Sequence, residues 1–248
     1  MLLLAIDTSG TGVTVAVHDR DQVLAERSSL VPRKHAELLA PAIRDVLAEA
    51  GVEPSALTGL AVGIGPGPFT GLRAGVVTAR VLGLTWQLPV HGVCSLDALA
   101  GQVLAAAPAT AAGTAGLAVG DRFVVATDAR RREVYWAAYQ VRDDGSGPVA
   151  VRVEDPQVAA PDGVPRDGLL VAGRGAELYP RALGGLVSAV TSTVIPAVIP
   201  AVLDVTGAGV ARLAVRRILA GTPDDGVEPL YLRRPDAAVP GARKRVLQ

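Results

Sequence analysis

The stretch "LAVGIGPGPFTGLRAGVVTARVLGL", Leu60 to Leu84, holds a strand, a loop and a helix in immediate succession. Its first residues are apolar and uncharged, as in a buried strand. Glycine and proline then alternate from Gly63 to Pro68 and break any regular element. From Gly71 onward the apolar spacing is helical, and the helix is read as Gly71 to Leu84. The glycines invite a comparison with phosphate-binding loops, and the comparison fails on two counts. A P-loop needs a lysine after its last glycine, whereas Leu72 follows Gly71. The dinucleotide fingerprint needs a third glycine where Thr70 stands, counting from Gly65 and Gly67. Free amides at the helix start leave weak anion binding open. The glycines inside the helix carry a different message. Gly71, Gly75, Ala79 and Gly83 recur every four residues on one strip. Each internal glycine costs about 1 kcal/mol relative to alanine, so the strip implies close approach of another backbone. Arg73, Val77, Arg80 and Leu84 cluster on another face, toward solvent or a partner.

Outward from this stretch the chain reads as α/β. "LLLAID" is a short strand ending in Asp7, "VTVAVH" and "QVLAERSS" are two further strands after turn residues, and "HAELLAPAIRDVLAEAG" is a helix closed by Gly51. Pro41 inside that helix predicts a kink or a loosened first turn. "LPVHGV" is a strand and "SLDALAGQVLAAA" a helix, so the first half runs βββαβαβα. The alternation after the three-strand meander implies parallel strands joined by right-handed crossovers. The second half repeats the plan: "RFVVATDA", "EVYWAAYQV" and "GPVAVRVED" are three strands, "LLVAG" a fourth, "RGAELYPRAL" a short helix and "DVTGAGVARLAVRRILAG" a final one. Two copies of one α/β unit are expected. The boundary lies among the uncharged residues 105–118, giving an N-terminal lobe of 1–108 and a C-terminal lobe of 109–248.

Half of the 248 residues are hydrophobic and only 3% aromatic, so the core must come from Ala, Val, Leu and Ile. The formal net charge of zero argues against a chain that grips nucleic acid by itself. A local basic excess sits in the C-terminal tail, where Arg233, Arg234, Arg243, Lys244 and Arg245 face Asp236. It is read as a solvated end, with RNA contact as the alternative. Cys94 is the sole cysteine, and the N-terminus lacks the positive region of a signal peptide, so the expected compartment is the cytoplasm. The charge-free run 182–203 matches a membrane span in length, yet it contains Gly184, Gly185, Pro196 and Pro200 and is read as a buried strand with loops.

Chemistry-bearing patterns are few. "AIDTSGTG" places Asp7 at a strand end, followed by Thr8, Ser9 and glycines. A turn of this kind holds nucleotide phosphates in sugar kinases, actin and Hsp70 chaperones, and it is equally a plain hairpin turn. These three residues are therefore weak nucleotide candidates. His18, His35 and His91 lack metal-ligand spacing. No G-x-S-x-G elbow exists, and Cys94 with His91 three residues away is read as incidental.

Several of these segments together resemble the TsaB (YeaZ) family: "LLLAIDTSGTGVTVAV", "HAELLAPAIRDVLAEAG", "LAVGIGPGPFTGLRAGV", "VCSLDALA", "DARRREVYWAAY" and "EPLYLRRP". The likeness is dense over residues 1–140 and thin from there to the last motif. It implies two ribonuclease-H-like lobes of the actin-like ATPase class, each a mixed sheet with flanking helices. It also implies a non-catalytic scaffolding subunit for N6-threonylcarbamoyladenosine formation at tRNA position 37. Such a subunit pairs with the transferase TsaD, works with the ATPase TsaE, meets tRNA through the complex, forms homodimers without TsaD and contacts no membrane. TsaD holds metal with an H-x-x-x-H helix. By position "SLDAL" replaces it, with Ser95 and Leu99 where the histidines would be, and "AGRGAEL" departs from TsaD's adenosine loop. The resemblance thus implies no catalytic residue and no metal or cofactor on this chain alone, with ATP and metal on the partner complex. The implied partner surface lies on the two N-lobe helices: His35, Leu38, Leu39 and Ile43, then Gly71, Arg73, Gly75, Ala79, Arg80 and Gly83. An ATP-dependent phosphotransferase or a glycoprotease-like enzyme of the same fold are the alternatives.

Overall fold

The computed structural model describes residues 1–31, 34–107, 116–166, 168–184 and 202–233. The 108/109 boundary, most of the charge-free run and most of the basic tail lie outside these residues. Strands β1 (Leu2–Asp7), β2 (Val13–Asp19) and β3 (Val23–Ser29) form an antiparallel meander. Helix α1 (His35–Ala50), β4 (Gly59–Gly63), α2 (Phe69–Trp86), β5 (Val90–Val93) and α3 (Ser95–Ala106) follow. β1, β4 and β5 are parallel, and the sheet order is β3-β2-β1-β4-β5. The second sheet has order β8-β7-β6-β9, built from β6 (Arg122–Asp128), β7 (Val134–Asp143), β8 (Pro148–Ala159) and β9 (Leu170–Ala172). Its β6–β7 and β7–β8 pairs are antiparallel and β6–β9 parallel, so it repeats the first four strands of the first sheet.

The expected order βββαβαβα is found. α1 runs continuously through Pro41, and Gly51 closes it at φ +64°. α2 begins at Phe69, two residues before the expected start. The "RGAELYPRAL" helix is instead two short ones, α4 (Arg174–Leu178) and α5 (Pro180–Leu183). Pro180 has no amide to donate and disfavours helical geometry at Tyr179, which stands at φ −127° and ψ 54°. The last helix, α6 (Gly207–Leu219), is capped by Thr206, whose hydroxyl accepts from the Gly209 amide at 3.0 Å.

Packing exchanges two helices between the lobes. α1 and α2 cover one face of the first sheet through Leu39, Ile43, Val46, Leu72 and Val76. Its other face is covered by α6, whose Val210, Ala211 and Ala214 meet Leu3, Ala5 and Ala61. α3 follows the first sheet in the chain but packs on the second, where Leu99, Ala100 and Val103 meet Phe123, Val125 and Tyr139. α4 and α5 close the far face of the second sheet with Ala176 and Leu183. The layers are therefore α1/α2, sheet, α3/α6, sheet, α4/α5. Among the described residues no helix is long and apolar enough to cross a membrane.

Candidate functional site

Asp7 ends β1 at the point where both lobes and α2 converge. Its side chain is buried, and both carboxylate oxygens accept hydrogen bonds from the protein. The Ser9 amide and hydroxyl each donate to Oδ1 at 2.7 Å, and the Ser95 hydroxyl donates to Oδ2 at 2.6 Å. Ser95 Oγ in turn accepts from the Gly65 amide at 3.1 Å. The Ser95 amide donates to the Gly65 carbonyl at 2.8 Å. The start of α3 is thus tied to β1 and to the glycine-rich loop. Gly63 is required beside it, because a Cβ there would stand 1.7 Å from Asp7 Oδ2. Burial raises the Asp7 carboxyl above its ordinary pKa, against the opposing hydrogen bonds from Ser95 and Ser9.

Thr8 ties α2 to the same point. Its hydroxyl donates to the Gly71 carbonyl at 2.8 Å and accepts from the Gly75 amide at 3.0 Å, bridging one turn of the helix. A Cβ on Gly75 would lie 2.4 Å from Thr8 Oγ1, and one on Gly83 would lie 2.3 Å from Val90 Cγ2. This corrects the reading of the strip as a partner surface. Gly71, Gly75, Ala79 and Gly83 are buried against this chain's own first sheet, and so are Leu39 and Ile43. The backbone that approaches the glycines is internal. Of the other residues assigned to a partner, His35 and Leu38 are half-buried, while Arg73 and Arg80 are exposed.

The nucleotide candidates lie in the same junction. Asp7, Thr8 and Ser9 are all buried in this junction. The cleft beside them, lined by Ser9, Pro66, Leu96, Asp128, Arg174 and Asp204, encloses about 20 Å³. That is close to the space one water needs, and beside it, sharing Arg174 and Asp204, lies a groove of about 440 Å³ lined by Asp7, Gly10, Thr14 and Thr206. Arg174 and Asp204 form an ion pair on its wall, with Nε 2.8 Å from Oδ1. No three His, Cys, Asp or Glu side chains converge among the described residues. Ser95 is bonded to Asp7, and Leu99 is fully buried in the second core.

Below the cleft, Asp97 gathers three elements. It accepts from the Tyr139 hydroxyl at 2.9 Å, Arg152 Nε at 2.9 Å and Arg217 at 3.0 Å. Asp225 accepts from Arg217 at 2.5 Å and from the Cys94 amide at 2.8 Å. The knot joins α3, β7, β8, α6 and the C-terminal segment. Burial, then the Asp97 charge, pushes the Cys94 thiol up to about 12. His91 pairs with Asp224 at 3.2 Å, so Cys94 and His91 form no nucleophile–base pair.

The outer face of α2 is different in kind. Val77, Val81 and Leu84 are 51, 55 and 83% exposed, forming an apolar stripe at helical spacing beside Arg73 and Arg80. Phe69 and Tyr231 extend it, their ring centroids 4.8 Å apart. Val77 and Leu84 were legible on this face from the sequence. Val81 was missed, though its place four residues after Val77 announces it. Tyr231 carries no such local signal.

Fold and site together define a protein of the actin-like ATPase class, built from two ribonuclease-H-like lobes with mixed sheets. A family model described as TsaD, tRNA N6-adenosine threonylcarbamoyltransferase, matches residues 21–195. An uncharacterised Mycobacterium tuberculosis protein is 39% identical over 240 residues, covering 95% of this chain and 93% of its own. The tRNA threonylcarbamoyladenosine biosynthesis protein TsaB of Escherichia coli is 32% identical over 145 residues, 58% of each chain. The solved structure of YeaZ from Pseudomonas aeruginosa superposes with a TM-score of 0.69 at 27% identity, covering 93% of this chain and 100% of that one. The chain belongs to this threonylcarbamoyltransferase-related family, on its TsaB (YeaZ) branch.

Proposed function

We propose that this chain is a non-catalytic subunit in the formation of N6-threonylcarbamoyladenosine at position 37 of tRNA, acting in the cytoplasm by pairing with TsaD. The observation that carries the reading is the exposed apolar stripe Val77, Val81 and Leu84 on α2, flanked by arginines. Covering such a stripe removes apolar surface from water, and this is the kind of surface a protein partner uses. The biosynthetic role is supported by the name of the Escherichia coli relative. The non-catalytic role is supported by Ser95 and Leu99, each committed to the fold where TsaD has a metal ligand. ATP and metal then reside on the complex, TsaE joins it, and a second copy of this chain covers the stripe when TsaD is absent.

The experiment is co-purification with TsaD, followed by tRNA modification with TsaD and TsaE, with and without this chain. Association and a loss of modification on omission are expected. Modification that proceeds unchanged without the chain overturns the reading, as does a failure to associate.

A further inference from the structure

Three consecutive arginines, Arg130, Arg131 and Arg132, make the turn between β6 and β7, and all are left-handed, with φ of 61°, 54° and 62°. Each non-glycine residue in that region costs about 1–2 kcal/mol. The turn itself is held by the Ala129 amide on the Glu133 carbonyl and the Glu133 amide on the Arg130 carbonyl, both at 3.0 Å. Glycine would satisfy the same bonds without strain. The chain instead sets three exposed arginines in succession, and strain of this kind concentrates at functional sites.

The C-terminal segment brings a fourth guanidinium to the turn. Arg233 donates to the Ala129 carbonyl at 2.9 Å and pairs with Glu133. Burial, followed by the neighbouring charge of Arg131, lowers its pKa from the usual arginine value. Two residues earlier in the chain is Tyr231, tilted against Phe69, and Arg73 lies 5.0 Å over the Phe69 ring. The rings are 39 and 38% exposed. The C-terminal segment therefore links the first turn of α2, where Tyr231 meets Phe69, to the β6–β7 turn, where Arg233 is held, with cations at both ends. Asp128 pairs with Arg130 at 3.2 Å, while Arg73 and Arg132 have no anionic partner among the described residues.

We propose that this strip, from Arg73 through Phe69 and Tyr231 to the Arg130–Arg132 turn, is a contact site for unpaired RNA. Guanidinium groups take the phosphates and the two rings take exposed bases. A protein partner would use the rings, but it would leave the strained arginines unexplained unless it were strongly acidic. The choice of RNA as the nucleic acid rests on the tRNA-modification reading above. With a formal net charge of zero, the chain grips through local basic groups and not through an overall positive charge.

The test is fluorescence anisotropy on the full chain, with a labelled RNA stem-loop and a fully paired RNA duplex of the same composition. The variants are the double substitution Arg131→Glu/Arg132→Glu and the single Tyr231→Ala. Circular dichroism and denaturation midpoints serve as the control for folding. The wild type should prefer the stem-loop. Tyr231→Ala should weaken stem-loop binding by about fivefold or more and leave duplex binding unchanged. The double variant should weaken it by about tenfold or more and flatten its dependence on salt. Wild-type chain that binds neither RNA overturns the proposal, and so does a folded double variant that binds as the wild type does. Variants that retain RNA binding but no longer co-purify with TsaD also overturn it, and make the strip a protein docking face. Wild type that binds the stem-loop but does not associate with TsaD supports the strip and overturns only the subunit reading.

Discussion

The Gly75 amide donates to the Thr8 hydroxyl at 3.0 Å, joining residues 67 positions apart in the chain. Through this bond the end of β1 is locked onto the middle of α2. It also explains why α2 carries glycine where alanine would make a better helix.

Gly75→Leu should destabilise the monomer. Even the first carbon of the side chain would clash with Thr8, and overpacking of this kind costs about 1–3 kcal/mol or more. Thr8→Val should cost about 1–3 kcal/mol by removing the buried hydroxyl that bridges the Gly71 carbonyl and the Gly75 amide. Urea denaturation checks both, and unchanged midpoints would show that the junction is not needed.

Asp7 makes the stability dependent on pH with a definite sign. Its pKa in the folded chain is raised by burial above its unfolded value. The folded state therefore favours the protonated form, and the penalty for ionising it in the core grows as pH rises from the unfolded value of about 3.9 through the folded one. Asp7→Asn keeps the shape without the charge. Denaturation from acidic to neutral pH should show the variant gaining stability relative to wild type as pH rises. A constant difference would remove Asp7 as the cause.

Asp97→Ala should be among the most damaging single changes. Asp97 is 9% exposed and is the shared acceptor of Arg152, Arg217 and Tyr139. Removing it leaves two partly buried cations short of a counter-charge, a loss of about 3–5 kcal/mol for a buried pair. Thermal melting should show the loss, which should persist in high salt because the knot is screened from solvent. A shift no larger than that of an exposed ion pair would contradict this.

Leu84→Asp and Val81→Asp act on the exposed stripe. Stability should change by about 0.5 kcal/mol or less, as at most surface sites. Association with TsaD should fall by about tenfold or more, since charged groups are depleted from interface cores. Full association of both variants would move the partner surface elsewhere.

Local patterns carried most of the fold. The alternation in "VTVAVH", the helical spacing after His35 and the glycine-proline break before α2 each depend on a few neighbouring residues. The break in "RGAELYPRAL" at Tyr179 was missed, though Pro180 announces it. The site was read less well. A four-residue glycine strip says that a backbone comes close, and it says nothing about whose backbone that is.

The sequence by itself determined the elements, their order, the repeated α/β plan and the absence of a P-loop, because periodicity and loop chemistry are set over short stretches. Only the tertiary structure decided which side of α2 faces inward, since Thr8 lies 67 residues from Gly75. It alone placed α3 on the second sheet and α6 on the first. It also brought Tyr231 onto Phe69 and Arg233 onto the β6–β7 turn. Those contacts depend on how two sheets share the helices between them, and no local run of residues encodes that arrangement.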